Sequence, residues 1–298
     1  MDKNFIKASI LSISSSIFFS LFIILILKSE YIEFTFFLSS FILFIISYLF
    51  IKMKNQKIYL PNKSTKETSL LFSISLLLFL YFMSSNNIII LESIVSFNII
   101  VFVLIHAIRH KDIIDRNTFK LLLIGMIFIT LSLFLLYNFS SVLRSLSFLI
   151  ISIIIMILIG ASSYAMSHKI KHTKNKFNFL LWVSLVIFIL SSLSLVFNIT
   201  GKINNNIIIY SLLSGIVLFL FLYSFIEAFD KLKTYDGKSR FSKTIIISIL
   251  SETDILFISL FYLIFIGTIN QYIIIGIIFL FLGLAVISFI HREKNIVI

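Results

Sequence analysis

Cysteine is absent and proline occurs once in this chain of 298 residues. Without cysteine there is no disulfide framework, thiolate nucleophile, iron–sulfur cluster or cysteine-bound zinc. Charge is scarce too: 13% of residues are Asp, Glu, Lys or Arg, against roughly 25% in soluble domains. No Gly-x-x-x-x-Gly-Lys loop and no Gly-x-Ser-x-Gly elbow occurs, so neither ATP drive nor serine hydrolysis is indicated. A soluble domain is also missing. The longest polar stretch, Lys52 to Ser69, holds the single proline, Pro61, and reads as a loop.

What the chain has in abundance is apolar surface, with 59% hydrophobic residues and 35 phenylalanines. Uninterrupted apolar runs of about 20 residues match the length that crosses a bilayer core. The polar breaks divide the chain into predicted spans near 8–27, 33–51, 68–83, 88–108, 118–137, 143–167, 177–198, 206–227, 243–266 and 270–290. Each is expected to be helical, because a lone strand in lipid leaves its backbone donors and acceptors unpaired. The first run, Ala8 to Leu27, lacks a small-residue cleavage site and exceeds a signal-peptide core, so it reads as a span.

The net charge of +12 does not form one basic patch, which argues against nucleic acid as a partner. With the N-terminus in the cytoplasm, the loops on that side carry every Lys and Arg except Lys28, Arg144 and Lys202. That is the bias cytoplasmic loops show, and it puts both termini on the cytoplasmic side of the cell membrane.

Two pairs of segments resemble each other at similar displacements. FTFFLSSFILFIIS from Phe34 resembles FNFLLWVSLVIFIL from Phe177, and LLLIGMIFITLSLFLL around Gly125 resembles YIIIGIIFLFLGLAVI around Gly276. Five spans used twice enter the membrane from opposite sides, giving an inverted repeat of the kind secondary transporters use. The expected fold is therefore an all-α polytopic membrane protein. It has ten transmembrane helices in two inverted five-helix repeats, residues 1–140 and 141–298, joined in one membrane domain.

Ten spans, internal termini and a five-plus-five duplication together resemble the EamA-type members of the drug/metabolite transporter superfamily. The resemblance extends to local patterns. Arg109 to Leu136 and Phe265 to Ile290 are similar to that family's helix pairs, in which a short loop precedes a glycine-bearing final helix. Gly160-Ala-Ser-Ser-Tyr-Ala-Met-Ser-His-Lys resembles its sixth helix, and Trp182 falls where its seventh often carries an aromatic. Ser251-Glu252-Thr253-Asp254 lies where a Glu-Pro pair is frequent on its ninth helix; the proline is missing here. The resemblance implies a carrier of small solutes and leaves the solute unspecified.

Ionisable groups inside a membrane are costly enough to be functional hypotheses by default. Glu252 and Asp254 fall near the middle of the ninth predicted span. On an unbroken helix they would point about 200° apart, so only one could face a cavity squarely. Glu252 is expected to be the cavity carboxylate, able to hold a cationic group or to take and release a proton. The alternative is a capped or solvated pair at an irregular helix break. Glu92 comes about one turn into the fourth span, where it is either a cavity acid or an interface acid favoured by the helix dipole. Asn98 is deeper and expected to bridge helices or contact substrate. Tyr81, Ser163, Tyr164 and Tyr223 are candidates for a hydroxyl-bearing cavity wall, with packing or an interfacial belt as the alternative.

His106 and His110, and His168 and His172, have the i, i+4 spacing of metal-binding pairs. Lys and Arg surround both pairs, so no metal site is assigned and no cofactor is expected. The leading functional expectation is a secondary transporter of an amino acid, a nucleoside-like compound or a similar polar or amphiphilic solute. Proton coupling and a homodimer stay open. A membrane-embedded prenyltransferase is the rival. It would need dense carboxylates for magnesium diphosphate, and only Asp112, Asp115 and the Asp230–Asp236 stretch offer any. An accessory membrane protein without a transport cycle is the third reading, favoured by the shortage of Gly and Pro that usually break transporter helices.

Overall fold

The computed structural model describes residues 2–29, 31–84, 87–109, 146–172, 175–197, 205–235, 237–267 and 271–288, with isolated positions between 120 and 132. The predicted fifth span, 118–137, lies almost wholly outside the described residues, as do His110, Asp112, Asp115 and Asp236.

Among the described residues the fold is helical, without strands. The first helix, α1 (Lys3–Lys28), starts at Asp2, whose carboxylate accepts the Asn4 N–H at 2.9 Å. It is followed by α2 (Ile32–Met53) and α3 (Lys63–Phe82). The helix α3 begins five residues before the predicted span, because Asn62 caps it by accepting the Thr65 N–H at 2.9 Å. Next come α4 (Ile88–Val95), α5 (Asn98–Arg109), α6 (Leu146–His172), α7 (Lys176–Phe197) and α8 (Asn205–Lys231). The described chain closes with α9 (Gly237–Ser251), α10 (Asp254–Phe265) and α11 (Gln271–Ser288).

Among the described residues, eight segments are long and apolar enough to cross a membrane: Lys3–Lys28, Ile32–Met53, Lys63–Phe82, Ile88–Ile105, Leu146–Ile170, Lys176–Val196, Asn205–Thr234 and Lys243–Phe265. This is a multi-pass membrane protein. Many of its exposed side chains are aliphatic, among them Ile10, Leu49, Ile108, Leu146 and Ile264, the outer surface a protein presents to lipid.

The fourth and ninth predicted spans are each broken near their middle, and neither break uses glycine or proline. Between α4 and α5, the Ser96 N–H and hydroxyl both donate to the Glu92 carbonyl, at 2.8 and 2.9 Å, and the Phe97 N–H turns to Ile94. Between α9 and α10, the Thr253 hydroxyl donates to the Leu250 carbonyl at 2.8 Å, while the Glu252 N–H takes the Ile249 carbonyl three residues back. Ser and Thr hydroxyls compete here with the regular backbone ladder, so a tighter turn replaces it.

A break inside a membrane must have its freed carbonyls satisfied by neighbours. On α1, Ser12 donates to the Ile247 carbonyl at 2.7 Å, Ser16 to Leu250 or Ser251 at 3.0 and 2.9 Å, and Ser20 to Asp254 at 2.9 Å. One row of serines thus supports the broken helix along its length. At the other break, α6 approaches so closely that a Cβ on Gly160 would stand 2.6 Å from the Asn98 carbonyl.

The remaining packing follows the same economy of small residues, which lets helices approach where lipid supplies no hydrophobic drive. Helix α1 packs most extensively on α8; α2 packs on α7 and α8, and α3 on α6 and α7. Ser39 meets Ser214 between α2 and α8, and Ser40 meets Ser191 between α2 and α7, hydroxyl to hydroxyl. The broken pair α9/α10 lies against α1, the broken pair α4/α5 lies against α6, and the two pairs touch each other.

Candidate functional site

The two breaks face one pocket. Glu92 from α4, Asn98 from the start of α5, Glu252 from the turn before α10 and Asp254 at the start of α10 all line it, with Ser163 of α6. The four polar residues from the breaks are nearly inaccessible: Glu92 is 1% exposed, Asn98 3%, Glu252 7% and Asp254 8%. The cavity they share measures about 70 Å³, several times what one water molecule needs.

Asn98 donates through Nδ2 to Glu252 Oε2 at 2.9 Å, joining the two broken helices. Asp254 accepts the N–H of Ile255 at 2.9 Å and lines the same pocket as Glu92. Glu92 Oε2 is buried with no hydrogen-bond partner. Among the described residues no Lys, Arg or His lines the pocket, and none forms an ion pair with the three acids.

Three acids packed into one buried site cannot all carry charge without compensation. Two like charges about 4 Å apart repel by about 4 kcal/mol at an effective dielectric constant of 20. The two half-helix N-termini at Asn98 and Asp254 offer roughly half a positive charge each, too little to balance three carboxylates. Protons or a bound cation must supply the rest.

Glu252 and Asp254 both line the pocket, contrary to the expectation that only one could. The expectation assumed an unbroken helix; the turn at Glu252-Thr253 resets the angle between the two side chains. Glu92, for which an interfacial position was open, is fully buried. The tyrosines lie elsewhere. Tyr81 is 56% exposed near the end of α3. Tyr164 is buried with its ring edge-on to Phe102, and Tyr223 stacks with Phe177 and Phe219. Trp182 holds a loop instead, donating to the Tyr59 carbonyl at 2.9 Å, while Asn178 donates to the Lys57 carbonyl at 2.8 Å.

Two groups of residues at the site escaped the reading of the sequence. Phenylalanines from α1, α3 and α8, among them Phe19, Phe79, Phe221 and Phe225, form the apolar wall; with 35 in the chain, none of them stands out. Ser12, Ser16 and Ser20 did carry a signal, because spacing of four places them on one face of α1. Among the described residues, no group of three or more His, Asp or Glu side chains has an arrangement suited to a metal ion.

No family model matches this chain, and no curated protein matches it.

Proposed function

We propose that the protein is a secondary transporter that carries a small metabolite across the cell membrane by alternating access, with the buried acid pocket as its substrate and coupling site. The observation that carries this reading is the meeting of Glu92, Asn98, Glu252 and Asp254 at two broken membrane helices. Discontinuous helices and intramembrane acids mark the midplane sites of secondary transporters.

The packing supports two interchangeable halves. If the first five spans exchange with the second five, α1 against α8 becomes α6 against α3, and both contacts exist. Likewise α2 against α8 becomes α7 against α3, and α1 against the break in α9/α10 becomes α6 against the break in α4/α5. The contacts between α2 and α7, and between the two broken pairs, map onto themselves. This pattern favours two inverted five-helix repeats over residues 1–140 and 141–298, as in EamA-type transporters, with the lysine-rich loops and both termini in the cytoplasm. Fold-level likeness carries no substrate.

The test is a metabolite-wide comparison of uptake and efflux in cells expressing the wild type or Glu252→Gln, at two external pH values. A solute whose flux depends on the protein, on Glu252 and on pH is the expected outcome. Loss of function on replacing Asp112 and Asp115 by Ala, with Glu252→Gln unaffected, would point to the membrane-enzyme alternative.

A further inference from the structure

We propose that the pocket selects a small primary or secondary alkylammonium ion, its N–H groups on the carboxyl oxygens of Glu92 and Glu252 and its alkyl part against phenylalanine rings. Its role in transport rests on the reading above; binding itself does not.

Charge gives the first selection. The pocket is lined by three acids and, among the described residues, by no basic side chain. A substrate carboxylate or phosphate would add a further acidic group without a basic partner, and an unpaired buried charge is strongly disfavoured. Zwitterionic amino acids and nucleotides are therefore poor fits, which narrows the range of solutes the sequence left open.

Hydrogen bonding gives the second. Glu92 Oε2 is buried, lines the pocket and lacks a partner, whereas buried polar atoms in folded proteins are almost always paired. The missing partner is a donor. An alkylammonium with N–H bonds supplies it, and a quaternary ammonium does not.

The walls give the third. Phe19 lies with its ring centroid 5.9 Å from that of Phe79 and 5.0 Å from that of Phe221, making a cluster at the edge of the acids. Aromatic faces attract a nearby cation by about 0.5–2 kcal/mol and accept an alkyl chain beside it. Hard metal cations need several oxygen ligands converging on one point, and among the described residues no three His, Asp or Glu side chains are arranged that way. With about 70 Å³ of space, the site suits an ion of a few heavy atoms.

The experiment uses the full chain in lipid nanodiscs and measures calorimetric binding of n-propylammonium, tetramethylammonium, propionate and sodium. Propylammonium is expected to bind, tetramethylammonium about tenfold or more weakly because the Glu92 acceptor stays unpaired, and propionate and sodium not at all. Glu92→Gln is expected to weaken propylammonium by about tenfold and tetramethylammonium by less, since only propylammonium also loses an N–H bond, with an unaltered size-exclusion profile as the folding control. Equal binding of tetramethylammonium, competition by sodium at equal concentration, or no propylammonium binding to folded wild type would each overturn the proposal. The wild-type arms decide the matter even where a variant fails to fold. Counterflow of propylammonium in liposomes, set beside the metabolite-wide flux comparison, separates the two claims: binding without flux of any solute supports this site and removes the transporter reading. Flux of another solute without propylammonium binding removes this proposal alone.

Discussion

Asn98 and Glu252 stand 154 positions apart in the chain and are joined by one buried hydrogen bond of 2.9 Å across two broken membrane helices. The bond ties the two breaks together at the pocket. Replacing Asn98 by Ala leaves a buried carboxyl oxygen without its donor and is expected to cost about 1–3 kcal/mol of stability. Asn98→Asp places a fourth acid in the cluster and should cost more. Thermal unfolding of the two variants in nanodiscs checks the order; Asp as stable as wild type would contradict the electrostatic account of the pocket.

Gly160 tests the same contact from the other side. A methyl group there would meet the Asn98 carbonyl at 2.6 Å and Val101 Cβ at 2.7 Å, so Gly160→Ala is expected to cost about 1–3 kcal/mol through overpacking. Because it displaces Asn98, it should also alter ligand affinity at the pocket. Gly215→Ala is the control, since its new methyl would press on Ile42 and the Ser39 carbonyl between α2 and α8. It should destabilise and leave affinity unchanged. An equal effect of both variants on affinity would show that helix packing in general, and no particular link to Asn98, sets the site.

The serine row on α1 supports the break between α9 and α10. Ser16→Ala removes the donor to the Leu250 and Ser251 carbonyls and is expected to cost about 0.6 kcal/mol, with an upper value near 1.7. Amide hydrogen exchange should quicken around residues 250–256 and stay unchanged in α7. Faster exchange spread evenly over all the helices would refute a local supporting role.

One pH dependence lies outside the spans. Asp2 sits beside the Tyr235 hydroxyl, which together with the Asn4 N–H and Lys243 holds the Asp2 carboxyl below its ordinary range. Burial and the Asp2 carboxylate push the Tyr235 phenol up to about 12. The Asp2 contribution is present above the ordinary carboxylate range and disappears as pH falls through its lowered value. The Tyr235 contribution is full below the ordinary phenol value and disappears as pH rises through about 12. Ultraviolet titration should find a tyrosine ionising near 12 that moves down in Asp2→Asn. No movement would mean that Asp2 does not set it.

The sequence by itself determined that this chain lives in a membrane, that its spans are helices and where most of them begin and end. The reason is physical: in lipid every backbone polar group must be paired within its own segment, so length and apolarity nearly suffice. It also singled out Glu252, Asp254, Glu92 and Asn98, since charge and amide groups stand out against Ile, Leu and Phe. Only the tertiary structure decided that these four meet. Their meeting depends on two breaks made by Ser96 and Thr253 bonding back to their own helices, which hydrophobic periodicity cannot register. It depends also on Ser12, Ser16 and Ser20 of α1, more than 230 residues away in sequence from the carbonyls they satisfy. The phenylalanine wall was equally hidden, because a ring facing a cavity and a ring facing lipid are the same letter until the helices are packed.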